Sequence, residues 1–156
     1  MNTLVIIGTG LAGYNLAKEF RKLDTERPMM LLTSDDGRSY SKPMLSTGFT
    51  KQKSAAELAM NSADEMAAQL KATVRTQVRV VRIDTAGKRV ELEGGEAIAY
   101  GDLVIAQGAD TFRVPMEGDA VADVLSINDL MDYGVFREKV VGKKKILVIG
   151  DRKSVV

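Results

Sequence analysis

Six residues near the amino end hold the densest chemical signal in the chain: Gly8-Thr9-Gly10-Leu11-Ala12-Gly13 spells G-x-G-x-x-G. That spacing suits a dinucleotide pyrophosphate, because each glycine removes a side chain where one would obstruct. Gly8 permits a tight turn, Gly10 lets a phosphate approach the backbone, and Gly13 lets the following helix pack closely on its strand. The unpaired N–H groups and positive dipole end of that helix would then face the phosphates. The same string alone also describes a glycine-rich turn with no ligand, so the surrounding elements have to decide. Dinucleotide sites further use an acid about 20 residues on, beyond a second strand, to hold a ribose hydroxyl. Asp35 and Asp36 stand slightly later than that. Asp35 is the favoured residue. One of the pair fits a turn role through its side-chain oxygen, and Ser34 offers an alternative hydroxyl.

The composition removes other chemistries. There is no cysteine and no histidine among the 156 residues, so these residues offer no disulfide, no Cys-ligated metal, no redox dithiol and no imidazole acid–base catalysis. Lysine plus arginine number 22 against 21 acids, which gives no electrostatic argument for nucleic acid or an anionic membrane. The run Lys143-Lys144-Lys145 reads as a solvated approach to a strand. Leu4 to Ile7 is too short for a secretory core and has no basic residue before it. No run approaches the ~20 apolar residues of a membrane span. The expectation is a soluble cytoplasmic protein without nucleic-acid or membrane partners.

The elements that must position the glycines are legible around them. Leu4-Val5-Ile6-Ile7 is wholly apolar, as suits a parallel strand buried on both faces. Leu11, Ala12, Leu16, Ala17, Phe20 and Leu23 recur at helical spacing, and Met29 to Thr33 reads as a second buried strand. The first 33 residues therefore predict β-α-β, the context that gives the glycine string its meaning. Residues 34–53 look like a loop. Ser54-Ala55-Ala56-Glu57 and Ser62-Ala63-Asp64-Glu65 have capping-box form, the second opening a helix to about Leu70. The run from Val78 through Val80 to Ile83, then Arg89 to Glu93, then Glu96 to Tyr100, predict an antiparallel meander closed by Thr85-Ala86-Gly87 and Gly94-Gly95. Leu103 to Ala106, ending at Gly108, returns to a buried strand. A loop around Pro115 precedes a helix near Asp129 to Val140, and Ile146 to Ile149 reads as one more strand that echoes the first.

With these elements in place, the sequence resembles the rubredoxin–NAD reductases, a group of FAD-dependent pyridine nucleotide oxidoreductases. The resemblance covers essentially residues 3–150. It is carried by Leu4 to Ala17, Phe20 to Asp24, and above all Asp35 to Ser46, within which Tyr40-Ser41-Lys42-Pro43-Met44-Leu45-Ser46 is the most specific part. It implies an α/β Rossmann-like FAD-binding domain, a parallel sheet with an antiparallel β-meander, over residues 1–110, with a connecting segment over 111–142. It implies that Thr9 to Ala12 hold the FAD pyrophosphate, that Asp35 holds the adenosine ribose, and that the Val80 backbone contacts adenine. Lys42, before Pro43, would point at the flavin, where a cation stabilises developing negative charge. Tyr100 to Ala109 resembles the second FAD motif, whose small residues Ala106 and Gly108 allow close approach of the cofactor. Gln107 departs from the usual threonine there and receives no role. The implied activity is transfer of electrons from NADH, or NADPH, through FAD to rubredoxin, as in alkane degradation. The absent cysteine pair separates the chain from the disulfide reductases of the same superfamily. A ferredoxin or putidaredoxin-type reductase, and a stand-alone nucleotide-binding module, are the rival readings.

The resemblance breaks at the end. Residues 143–156 would start an NAD-binding domain with its own glycine string, and Gly150 supplies only the first glycine. Arg152 and Val155 occupy the places of the other two. The expectation is a fragment truncated at the start of that domain, gripping FAD only weakly, at its adenosine and pyrophosphate end, and inactive alone.

Overall fold

The structure, a computed structural model, describes residues 2–150. Arg152 and Val155 lie outside the described residues. The chain divides into two compact units, Met1–Tyr40 with Met60–Gly108, and Ser41–Ala59 with Ala109–Val156. In chain order the elements are β1 (Leu4–Ile7), α1 (Leu11–Leu23), β2 (Met29–Leu32), β3 (Ser39–Tyr40), α2 (Met44–Gly48), α3 (Ala55–Leu58), β4 (Ala59–Asn61) and α4 (Ala63–Leu70). They continue with β5 (Thr73–Arg75), β6 (Val80–Asp84), β7 (Arg89–Leu92), β8 (Ala97–Ala99), β9 (Asp102–Ile105), a 3-10 turn (Val121–Asp123) and α5 (Leu130–Lys139).

The first unit is built on a four-stranded sheet in the order β5-β2-β1-β9, every pairing parallel. Leu4 lies opposite Met29 on one side and Asp102 on the other. The apolar run of β1 has its cause in this position. Leu4 and Ile6 face a cluster with Tyr14 and Ala17 of α1 and Met66 and Leu70 of α4. Val5 and Ile7 face the opposite cluster, with Val90, Leu92 and Tyr100. Both faces of β1 are thus covered, by helices on one side and on the other by the antiparallel meander β6-β7-β8. Alternating side chains of one strand therefore both count as core, and period-two amphipathicity disappears.

Tyr14 ties α1 to the loop after β2. Its ring is 3% exposed, and its hydroxyl donates to the Gly37 carbonyl. Burial, and then the nearby carboxylates of Asp35 and Asp36, push its phenol pKa far above the usual tyrosine range, so it stays a donor. Tyr14→Phe leaves that carbonyl without its partner. We expect a loss of about 1–2 kcal/mol, measured as a fall in the urea unfolding midpoint. An unchanged midpoint would remove this tie from the account.

The second unit carries α2, α3 and α5. Ser54 caps α3 in a reciprocal capping box with Glu57, and the Asp129 side chain caps α5 by accepting from Asp132 N. Leu45, Leu58, Leu130 and Tyr133 are buried, and the Tyr133 hydroxyl donates to Lys53 O at 2.7 Å. The Phe49 and Phe136 rings lie 5.5 Å apart, with the Arg137 guanidinium over Phe49.

The structure differs from the sequence expectation at several places, the two-residue strand β3 within the stretch read as loop among them. Helix α2 lies in the stretch read as loop. Its five residues are held by tertiary packing: a Cβ at Gly48 would stand 2.7 Å from Leu58 Cδ1 and 3.0 Å from Tyr133 Oη. Strand β5 is three residues long and half exposed, and its neighbour β2 is what makes it a strand. Strand β4 is likewise too short to show a period. Ile146 to Ile149, expected as a strand, is not one. These residues are 49–86% exposed. Sheet stability comes from cross-strand pairs, and no strand among the described residues pairs with this run.

Candidate dinucleotide-binding site

Strand β1 delivers Gly8 to its carboxyl end. There Gly8 N donates to Leu32 O and Ala106 N donates to Ile7 O, each at 2.7 Å, so three strands close around the turn. Gly8 has φ +107°, and a Cβ on it would stand 2.3 Å from the Ala106 carbonyl oxygen. A Cβ on Gly13 would stand 2.0 Å from Gly8 O and 3.7 Å from Ala106 Cβ. Neither position can hold a side chain while helix and strand stay where they are. Gly10 is different. Its φ of −66° suits any residue, and nothing lies within 4 Å of the place a Cβ would take. The space over Gly10 is open, as the approach of a phosphate requires.

Helix α1 begins at that opening, with Tyr14 N donating to Gly10 O at 3.0 Å. The first N–H groups of a helix have no acceptor within it. In α3, α4 and α5 a side chain supplies one, from Ser54, Ser62 and Asp129. In α1 none does, and its first turn holds no acid. Leu11 and Ala12 are exposed there. An anion is the group this end lacks.

Asp35 stands beside the same turn. Its Oδ1 accepts from Thr33 Oγ1 at 2.6 Å, from Gly37 N at 2.9 Å and from Thr9 Oγ1 at 3.3 Å. Its Oδ2 accepts no hydrogen bond among the described residues. Asp36 is spent locally. Arg38 donates to it through Nε at 2.8 Å and through its backbone N at 3.2 Å. Burial alone would raise the Asp36 pKa, but these bonds from Arg38 outweigh it and hold the carboxyl below its usual range. Both acids accept a turn bond from the N–H two residues on, Gly37 for Asp35 and Arg38 for Asp36, but the Arg38 side chain also occupies the second oxygen of Asp36, whereas Asp35 keeps its second oxygen open.

Other expected residues sit as follows. Gln77 N donates to Asp35 O and Val78 N to Thr33 O, which brings the chain leading into β6 beside the acid. Val80, at the start of β6, is half-buried against the meander-side cluster. Gly108 and Gln107 are exposed beyond β9, and Gly108 has φ +76°. Ser34 is exposed and its hydroxyl makes no hydrogen bond among the described residues. Lys42 and Pro43 belong to the second unit. Pro43 is the N-cap of α2, and Lys42 is exposed, its Nζ donating to Asn128 Oδ1 at 2.8 Å. Asn128 in turn donates to Ala109 O at 2.9 Å. The sequence reading missed Thr33 as part of the site. A threonine closing a strand two residues before an acid is a usable signal for it, because a hydroxyl there can reach back to that acid.

The pyridine nucleotide-disulphide oxidoreductase family model matches residues 2–151, nearly the whole chain, and the chain belongs to that family. The family uses FAD and NADH. The chain is 55% identical over 150 residues to the rubredoxin-NAD(+) reductase of Alcanivorax borkumensis, covering 96% of this chain and 39% of that protein. It is 38% identical to the nitric oxide reductase FlRd-NAD(+) reductase of Aliivibrio fischeri, covering 94% of this chain and 38% of that one. Among solved structures, the ferredoxin reductase from Rhodopseudomonas palustris superimposes with a TM-score of 0.79 at 26% identity, over 90% of this chain and 35% of the other. The chain thus spans between a third and two fifths of the length of these relatives.

Proposed function

We propose that the chain is the FAD-binding part of an oxidoreductase that takes electrons from NADH and passes them through FAD to rubredoxin. One observation carries the cofactor reading: the uncapped amino end of α1, the open space over Gly10 and the open oxygen of Asp35 meet at one end of β1. The rubredoxin reading rests on the likeness to the Alcanivorax reductase. The likeness to a ferredoxin reductase structure supports ferredoxin as a second acceptor.

The residues present fit the adenosine diphosphate half of FAD. The Thr9 to Ala12 backbone and the α1 dipole would hold the pyrophosphate. Gly8 and Gly13 keep turn and helix close enough for those N–H groups to converge, and Asp35 would hold the ribose hydroxyls. The Val80 backbone would lie along the adenine. Ala106 and Gly108, at the mouth of β9, would leave room for the chain toward the ring. FAD supplies acceptance of a hydride and release of its electrons one at a time. Lys42 would set a positive charge where negative charge develops on the ring, and its bond to Asn128 restricts where that ammonium can go.

The test is direct. The chain is titrated with FAD, and the flavin absorption near ~450 nm is followed. A weak but saturable change is the expected result. No change with FAD, with AMP bound by the same sample, would favour a stand-alone nucleotide sensor instead.

A further inference from the structure

Resting on the FAD reading, we infer that Thr33 and Thr9 are positioning residues, which lock the Asp35 carboxylate by one oxygen and so present the other to the adenosine ribose. A free aspartate side chain turns about two bonds, and a ligand that needs it fixed must supply the ordering cost itself. Here the ordering is done beforehand. Three donors reach the single atom Oδ1: the hydroxyl of Thr33 from the end of β2, the hydroxyl of Thr9 from the glycine turn, and the N–H of Gly37 from the loop beyond. Both threonines are at most 7% exposed, so their hydroxyls have no ready exchange of partner with water. Gly37 N alone would leave the carboxylate free to pivot about that one bond. Donors from β2 and from the turn between β1 and α1 remove the pivot.

The arrangement has a second consequence. Thr9 belongs to the turn that faces the phosphates, while Asp35 faces the ribose. The bond between them makes the phosphate grip and the ribose grip one rigid piece. Thr33 carries the larger part, because its hydroxyl is 2.6 Å from Oδ1 against 3.3 Å for Thr9. Thr33→Val removes the hydroxyl and keeps the β-branched shape that suits a strand end. Thr33→Ser keeps the hydroxyl.

The experiment titrates the full chain with ADP and with 2′,3′-dideoxy-ADP by calorimetry, beside a thermal melt of each variant. The wild type should bind ADP more tightly than the dideoxy analogue, and the ratio of the two affinities reports the ribose contact alone. Thr33→Val should weaken ADP roughly threefold to tenfold while barely moving the analogue, so the ratio collapses toward one. Thr33→Ser should restore most of it, and Thr33→Val added to Asp35→Asn should cost nothing more. Folded Thr33→Val with an undiminished ratio would overturn the positioning role and leave the FAD reading standing. A wild type that binds neither ADP nor FAD would overturn the FAD reading itself. If Thr33→Val melts before titration, Thr33→Ala takes its place, and an undiminished ratio in that folded variant overturns the lock equally.

Discussion

Gly10→Val is expected to weaken FAD binding roughly a hundredfold and leave the fold intact. The valine side chain would fill the open space over the start of α1, where nothing of the protein lies within 4 Å of a Cβ. The backbone there already has φ −66° and ψ −173°, which valine adopts without strain. Losing glycine's freedom in the unfolded chain stabilises by a few tenths of a kcal/mol, and placing valine at an N-cap costs a similar amount. The melting temperature should therefore stay within a few degrees of wild type. Binding should suffer far more, because the side chain and the pyrophosphate cannot share one place. Forced overlap of that kind costs about 3 kcal/mol, or roughly a hundredfold in affinity. Calorimetric titration with FAD and a melt on the same sample check both halves. Wild-type affinity in a folded Gly10→Val protein would mean that the phosphates lie elsewhere.

Gly13→Ala should do the reverse. One methyl group at residue 13 would stand 2.0 Å from the carbonyl oxygen of Gly8, a backbone atom in a turn that three strands hold in place. Neither side can yield as a flexible side chain would, so α1 must lift away from β1. That helix covers Leu4, Ile6 and Leu31 with Tyr14 and Ala17. We expect a loss of about 3 kcal/mol, the upper end of overpacking costs and a large share of an ordinary domain's stability. Urea unfolding followed by circular dichroism measures it. A Gly13→Ala protein as stable as wild type would show that helix and strand are not in the contact described. Together the two variants test separately the two roles that the spacing of the string assigns, helix packing at Gly13 and ligand approach at Gly10.

The elements that sequence reading recovered share a physical basis. β1 and β2 are buried on both faces or nearly so, and unbroken apolar runs report that directly; β9 shows the same kind of run, but at the sheet edge it stays half-exposed, with Ile105 open to solvent. α1 and the boxes at Ser54 and Ser62 are local patterns whose bonds form within four residues, and both boxes stand in the structure. The meander carries its own turns at Gly87 and at Gly94-Gly95. What escaped were elements defined by their neighbours. Five residues of α2, three of β4 and three of β5 are too few to show a period, and each depends on what lies beside it. Ile146 to Ile149 erred in the other direction, since an apolar run expresses strand preference and still needs a partner to become one.

For the site, residue types and their spacing pointed to Gly8 to Gly13 as a candidate phosphate cradle and to an acid near residue 35 as its companion. They also determined that these 156 residues bring no cysteine or histidine chemistry. Tertiary structure decided the rest. Only the fold shows that Asp36 is consumed by Arg38, that Asp35 keeps one oxygen open, and that the donors holding its other oxygen include Thr9, 26 residues earlier. A glycine's role follows from which atoms a missing side chain would have met, and those atoms, Ala106 O for Gly8 and Gly8 O for Gly13, are set by packing between elements distant in the chain. Spacing along the sequence encodes local turns and faces. Which oxygen of a carboxylate stays free depends on contacts across strands, and those exist only once the sheet has closed.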